Sequence, residues 1–164
     1  MIGPLTPSPN LLVTFGALGA RTAFGDPLML QLIYISTSRA DITPATLEDI
    51  LASSRRNNAG AGVTGLLVAG ARRFLQALEG PELAVTTTLK RIGRDPRHFA
   101  IVELGRRMVD AREFGSWDMD FQRGTDAAAG AALRDSVDAL VANLTSSNLR
   151  AQFTGFAALH SKAA

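Results

Sequence analysis

The side chains of this chain that could do chemistry are rings and amides rather than nucleophiles. The sequence has a single tyrosine, Tyr34, and a single tryptophan, Trp117, each within a strand-like segment. Between them come the amide pair Asn57 and Asn58 and a lone amide, Gln76, inside an apolar run. A side-chain amide both donates and accepts hydrogen bonds, and the two rings can exchange electrons. This set suits holding a polar aromatic ligand better than cutting a substrate.

Composition excludes several other kinds of site. The chain has no cysteine, which rules out disulfides, thiol catalysis and cysteine-ligated metal. Neither His98 nor His160 has a nucleophile at useful spacing, so we expect no catalytic residue and no metal site. The arginines occur in scattered pairs and the net charge is only +2, which argues against direct binding of nucleic acid.

The chain has the length of one domain with extensions, at 164 residues of which 46% are hydrophobic. No apolar stretch reaches the roughly 18 residues that span a membrane. The apolar run 11–20 has the length of a signal core, but no Lys or Arg precedes it. The sequence therefore predicts a soluble cytoplasmic protein that makes no membrane contact.

Residues 1–28 are punctuated by proline and glycine, a composition that disfavours regular structure. Two interpretations are open. Translation starts at Met29 and the upstream part is a mis-called extension, or residues 1–28 form a mobile tail. We expect the main domain over 29–121 and a helical tail over 122–164.

Hydrophobic spacing predicts five strands and two helices in the main domain. The strand-like segments are 30–36, 63–69, 72–78, 99–104 and 114–121. The first helix has Thr43 as its N-cap and Pro44 at its first position, and it ends at Asn57. The second helix begins at Pro81, and its apolar face comprises Leu83, Val85, Leu89 and Ile92.

The element order βαββαββ is typical of a ferredoxin-like α+β sandwich, in which two helices pack on one face of a mixed sheet. Gly70 marks the turn of a hairpin between the second and third strands. Apolar residues at helical spacing predict a C-terminal helical extension with one helix near 133–144 and another over 148–159. This tail or a partner subunit would cover the other face of the sheet.

Five segments together resemble the BLUF family of blue-light sensors that use FAD. They are 32–36, 54–67, 73–80, 94–98 and 112–119, and they follow the order and spacing of that family across 29–121. The resemblance implies the ferredoxin-like fold and a FAD chromophore bound non-covalently between the two helices, with FMN or riboflavin as possible substitutes. It also implies a photoreceptor and not an enzyme.

By this resemblance, Tyr34 donates an electron and then a proton to the excited flavin. Gln76 bridges the tyrosine hydroxyl and the flavin, and light changes the orientation or tautomer of its amide and its hydrogen bonds to flavin N5 and O4. Taken alone, Tyr34 is typical of a core tyrosine whose hydroxyl finds a partner, and Gln76 of a satisfied edge-strand amide.

The resemblance also implies roles for residues around the flavin. Asn58 would hold the C4=O and N3–H edge of the ring, and Asn57 would contact a neighbouring polar edge or phosphate. Arg97 and His98 are candidates for the ribityl-phosphate end, because a guanidinium suits phosphate. Taken alone, the two asparagines are typical of a helix cap and turn.

Trp117 and Met119 occupy alternate positions of the predicted fifth strand, so they point to the same face. The resemblance implies that one of them faces the flavin and that movement of this strand carries the signal outward. Which of the two points inward is left open. As ordinary core residues they need no further explanation.

Our first hypothesis is therefore a short, stand-alone photoreceptor. We expect a homo-oligomer, a dimer or larger, and a separate downstream signalling protein, because 122–164 is too short for an effector domain. A light-insensitive ferredoxin-like interaction module is the alternative, and Tyr34, Asn58 and Gln76 together argue against it. A flavin-dependent enzyme would need a substrate pocket, which nothing in the sequence marks.

Overall fold

The computed structural model describes residues 28–115, 120–124 and 127–160 of the chain. In chain order the elements are β1 (Met29–Ser38), α1 (Pro44–Ala61), β2 (Thr64–Gly70), β3 (Arg73–Gly80), α2 (Glu82–Gly93), β4 (His98–Val109), β5 (Asp120–Gly124), α3 (Ala127–Val141) and α4 (Ser147–His160). The predicted order βαββαββ and the helical extension are confirmed. The domain boundaries stay predictions, and of the N-terminal extension only Leu28 is described.

The strands form one mixed sheet in the order β4-β1-β3-β2-β5. β1 pairs antiparallel with β3 and β4, and β2 with β3, whereas β5 runs parallel to β2. Side chains alternate along a strand, so the two faces carry different residues. Tyr34 and Gln76 lie on one face, which we call the front face, and Ile33 and Ala77 lie on the back face.

The front face is covered by α1 and α2. Oγ1 of Thr43 accepts a hydrogen bond from the backbone N of Thr46 at 3.1 Å and caps α1, as predicted. In α2, Val85 is fully buried against the sheet, but Leu83 is 80% exposed and does not belong to the apolar face predicted for it. Two helical positions turn by about 200°, so these two side chains point in opposite directions.

The back face is covered by α3 and α4. Apolar side chains of both helices join the sheet in one buried cluster, and those from the tail include Leu133, Val137, Val141, Leu149, Phe153 and Phe156. Burying one such side chain fully contributes about 1.5–3 kcal/mol, so this cluster docks the tail. The tail, rather than a partner subunit, covers this face.

The predicted end of α1 is wrong. The helix continues past Asn57 to Ala61, and Gly62 caps it in the left-handed conformation with φ at +66°. Asn58 lies seven residues after Leu51, which is two helical turns, so both point inward. Asn58 is consequently buried, and its role is not that of a helix cap.

The hairpin between β2 and β3 is confirmed, but its turn is not at Gly70. The turn is formed by Ala71 and Arg72, and Ala71 has a left-handed φ of +51°. Gly70 is the last residue of β2, and a Cβ on it would collide with the side chain of His160. The glycine therefore allows close approach of α4.

The later strands differ from their predicted bounds. β3 and β4 extend beyond 72–78 and 99–104, and β5 begins six residues later than predicted. Phe114 is buried in the back-face cluster outside any strand, and Gly115 has a left-handed φ of +52° that a strand does not use. Trp117 and Met119 lie outside the described residues, so their shared orientation stays a prediction.

Within the described ranges, no helix combines the length and the hydropathy that a membrane crossing requires. The cytoplasmic location stays a prediction.

Candidate functional site

Tyr34 and Gln76 stand opposite each other on neighbouring strands of the front face. The β1–β3 register pairs their Cα atoms, and the Tyr34 hydroxyl donates a hydrogen bond to Oε1 of Gln76. Both side chains are buried. Burial raises the pKa of Tyr34 well above its ordinary value, and the negative charge of Asp95 raises it further. The phenol is therefore neutral and keeps the proton that it donates.

A cavity of about 550 Å³ opens beside this pair, between α1 and α2. That volume is within the usual range for small-molecule sites. The lining residues are Ile50, Ser53, Ser54, Asn57 and Asn58 from α1, Leu67 and Gln76 from the strands, and Thr88, Arg91, Ile92, Arg94, Asp95, Pro96, Arg97 and His98 from α2 and the segment after it. Gln76 reaches the cavity, whereas Tyr34 is not among the lining residues. The amide lies between the phenol and the cavity.

Asn58 brings an unpaired donor to this cavity. Its Nδ2 is buried and has no hydrogen-bond partner within the part of the chain that the structure describes. Its Oδ1 accepts from Nη2 of Arg91 at 3.4 Å. An unpaired buried amide donor costs about 1–3 kcal/mol, so an acceptor atom on a ligand would complete the site. Asn57 also lines the cavity, but its side chain is exposed.

Arg97 is held by a carboxylate. Its Nη2 donates to Oδ2 of Asp95 at 2.6 Å, and its Nε donates to Oδ1 at 2.9 Å. The hydrogen bond to Arg97 lowers the pKa of Asp95, and the same bond raises the pKa of Arg97. The pair is thus fully ionised at neutral pH. Part of the donor capacity predicted for a phosphate is already used within the protein.

His98 is a buried residue of the cavity wall. Its Nδ1 lies 3.2 Å from Oγ of Ser36, and its ring centroid lies 4.9 Å from that of Phe74. Burial lowers the pKa of His98, the charge of Asp95 partly offsets this, and the charge of Arg97 lowers the pKa further. The ring is therefore neutral at neutral pH, and it would contact a ligand as a hydrogen-bonding ring rather than as a cation.

Two guanidinium groups of the cavity were not predicted as site residues, although Arg94 belongs to the 94–98 segment that carries the family resemblance. Arg91 and Arg94 both line the cavity, and neither was a candidate. The signal was present in α2, because Thr88, Arg91 and Ile92 follow Val85 at helical spacing and continue its inward face. Polar residues on an otherwise apolar stripe mark the lining of a site.

The model of the family described as "Sensors of blue-light using FAD" (BLUF) matches residues 29–120. That stretch contains the cavity and the Tyr34–Gln76 pair. This chain belongs to the BLUF family. BLUF domains sense blue light with a FAD chromophore. The cavity volume and the unpaired amide of Asn58 fit such a group, because the flavin ring carries carbonyl oxygens along one edge.

Relatives of this BLUF protein carry its domain in longer chains. It is 38% identical, over 57% of its length, to the "Blue light- and temperature-regulated antirepressor BluF" of Escherichia coli (strain K12), of which it covers 23%. It is 30% identical, over 76% of its length, to the "Photoactivated adenylate cyclase subunit beta" of Euglena gracilis, of which it covers 15%. The chain thus spans less than a quarter of these curated relatives.

One similar solved structure is matched over almost its whole length. The structure titled "BlrB - a BLUF protein, dark state structure" aligns with a TM-score of 0.60 and 27% identity. The alignment covers 79% of this chain and 97% of that one. The alignment therefore covers more of this chain than the stretch 29–120 that the family model matches.

Proposed function

We propose that this chain is a blue-light photoreceptor that holds FAD non-covalently in the front-face cavity and is not itself an enzyme. The observation that carries the proposal is the hydrogen bond from Tyr34 to Gln76, because it connects a buried phenol to an amide that lines the cavity. When bound, FAD supplies the absorption of blue light and the capacity to accept an electron and a proton. FMN or riboflavin would supply the same ring.

The hydrogen bond between Tyr34 and Gln76 has a defined proton position. The raised pKa keeps the proton on Tyr34, and Oε1 of Gln76 accepts it as a hydrogen bond. The Nε2 end of that amide is then the donor. Rotation of the amide, or a change of its tautomer, exchanges donor and acceptor at the cavity wall. We propose that this exchange is the switch.

Binding and positioning would come from the other lining residues. Asn58 would give its unpaired Nδ2 hydrogen to a carbonyl oxygen of the ring. Asn57, Arg97 and His98 would lie along the polar edge and the phosphate-bearing side chain, and Arg91 adds a positive charge next to Asn58. Trp117 and Met119 remain our candidates for carrying the change outward.

Catalysis is not supported by the groups around the cavity. Ser36 and His98 lie 3.2 Å apart, a distance at which a serine could be activated. Ser36 is fully buried, however, and is not a lining residue, so a substrate in the cavity would not reach it. Two relatives are named as a light-regulated antirepressor and a photoactivated cyclase. We propose that this chain passes its signal to a separate protein.

The oligomer that we propose uses the β4 edge, because α3 and α4 cover the sheet face suggested by the sequence. β4 carries exposed apolar side chains, of which Val102 is 53% exposed. An edge strand with such side chains can pair with another strand. Antiparallel pairing of two copies, centred between Leu104 and Gly105, places Glu103 of one copy opposite Arg106 of the other.

Light scattering after size exclusion tests this pairing by measuring the molar mass of the protein in solution. We expect the mass of a dimer or larger oligomer for the unchanged protein and the mass of a monomer for Val102→Lys.

The deciding experiment is a visible absorption spectrum of protein purified in the dark, taken before and after blue light. We expect a flavin spectrum that shifts to longer wavelength and relaxes in the dark. A protein that cannot be reconstituted with FAD would favour the light-insensitive interaction module instead. Bleaching together with consumption of NADH would favour a flavin enzyme.

A further inference from the structure

Strand β3 carries a second buried polar side chain, on the face opposite to Gln76. Glu79 follows Gln76 by three residues, so it points to the back face, and it is fully buried. Its Oε2 accepts a hydrogen bond from Nε2 of Gln31 at 2.8 Å. The same oxygen accepts from the backbone N of Glu113 at 3.0 Å, and Oε1 accepts from the backbone N of Phe114 at 3.4 Å.

The segment that Glu79 holds also holds the tail. The carboxylate of Glu113 accepts from the backbone N of Thr145 at 2.7 Å and from the backbone N of Ser146 at 3.0 Å. It also accepts from Oγ1 of Thr145 at 2.7 Å. These residues directly precede α4. Oγ of Ser146 caps the first turn of this helix by accepting a hydrogen bond from the backbone N of Leu149. A carboxylate at this end of a helix is favourable because the unpaired amides and the helix dipole are positive there.

The contacts close into a ring. Nε of Arg107 donates to Oε1 of Gln31 at 2.7 Å, and Nη2 of Arg107 lies 3.4 Å from Oε1 of Glu113. Gln31, Arg107, Glu113 and Glu79 are thus linked in sequence, with the backbone of Glu113 completing the ring. A movement of β3 along its axis would disturb the contacts that Glu79 makes in this ring, with Gln31 and with the backbone N of Glu113.

The part of β3 between Gln76 and Glu79 has little room to move. It is packed so closely on β2 that a Cβ on Gly65 would collide with the carbonyl group of Ala77. Close-packed interiors transmit displacements rather than absorb them. A displacement of Gln76 on the front face should therefore be passed along β3 to Glu79 on the back face, three residues away.

We propose that Glu79 and Glu113 form the joint that fixes the start of α4 to the photoactive strand, and that light weakens this joint. The two glutamates are positioning residues and touch no chromophore. The proposal rests on the proposed photoreceptor function, because it assigns that function an output element. The output is a change in how the beginning of α4 is docked.

The test reads two amides of the joint directly. Hydrogen exchange at the backbone N–H groups of Thr145 and Ser146 is measured in the FAD-loaded protein, in the dark and under continuous blue light, with the absorption shift recorded in the same sample. We expect exchange to be about tenfold faster in the light, the factor for loss of one net hydrogen bond. Equal exchange in dark and light, in a sample that shows the shift, would overturn the proposal. A sample without any shift would instead contradict the photoreceptor function.

Glu113→Gln separates this role from a general effect on folding. The variant keeps one acceptor oxygen, loses the other, and should show fast exchange at Thr145 and Ser146 already in the dark, with no further light effect and a normal absorption shift. Glu103→Gln is the matched control, because Glu103 is paired with Arg106 on exposed β4. The control should retain the light effect on exchange. If light still increased hydrogen exchange at Thr145 and Ser146 in Glu113→Gln, the proposed role of Glu113 in the joint would be wrong.

Discussion

Gln76 lies between Tyr34 and the cavity. Its Oε1 accepts the hydrogen bond of the Tyr34 hydroxyl, and its side chain lines the cavity, whereas Tyr34 is fully buried. A hydrogen-bonded path from the phenol to a bound ring therefore runs through this amide. An amide suits the position because one end accepts and the other donates, so reversing it changes the contact at both sides.

Tyr34→Phe should bind flavin but show no reversible red shift, because the donor to Gln76 is gone. The lost hydrogen bond should lower the free energy of unfolding by about 1 kcal/mol. Difference absorption spectra before and after blue light measure the first effect. Ser36→Ala, a buried change on the same face of the same strand, is the control and should keep the shift. A normal photocycle in Tyr34→Phe would refute the role assigned to the phenol.

Substitutions of Gln76 should separate hydrogen bonding from packing. Gln76→Leu fills a similar volume without polar atoms, and Gln76→Glu keeps an acceptor for Tyr34 but has no amide donor. We expect both variants to bind flavin and neither to show the reversible red shift. The dark-state spectra should differ between them, because only one retains an acceptor. A full shift in Gln76→Glu would show that exchange of donor and acceptor is not the switch.

Asn58→Ala should weaken flavin binding about tenfold to a hundredfold. The reason is that Nδ2 of Asn58 is buried and unpaired in the described residues, so a ligand contact there is worth one to two hydrogen bonds. Titration of the apoprotein, followed by quenching of flavin fluorescence, gives the dissociation constant. Asn57→Ala is the matched control. Its side chain is exposed, so we expect a smaller effect, and an equal effect would remove the distinction between the two amides.

Much of the fold follows from local signals. The cap at Thr43, confirmed by its bond to Thr46, was readable because a threonine followed by proline marks a helix start. The order of strands and helices followed from hydrophobic periodicity. The amide pair misled the prediction of the end of α1, because Asn is common at helix ends. Only tertiary packing reveals that Asn58 faces inward.

Part of the site was also predictable from local signals in the sequence. Gln76 stood out because a buried amide in an apolar strand is costly without a partner, and the sheet register supplies Tyr34 as that partner. The lining role of Arg91 was open to the same reasoning, because Arg91 continues the inward face of α2 from Val85 and Thr88 at helical spacing. The contacts of Glu79 are less accessible, because they join residues far apart in sequence through two backbone amides.

The unfolding free energy should fall as the pH drops below about 6.5, because burial lowers the pKa of His98 in the folded state. The unfolded chain then binds a proton that the folded chain does not, so the lost stability increases as the pH falls towards the folded pKa. His160 is shifted in the same direction by burial and by Arg73. Asp95 does not contribute in this window, since Arg97 lowers its pKa from 3.8.

Urea unfolding of the flavin-free protein at about pH 7.5, pH 6.5 and pH 5.5 measures this dependence. His98→Gln should reduce the loss of stability between the first and the last of these pH values, and His160→Gln should reduce it independently. The double variant should be nearly insensitive to pH over this interval. An unchanged pH dependence in the double variant would mean that groups other than these two histidines take up the proton on unfolding.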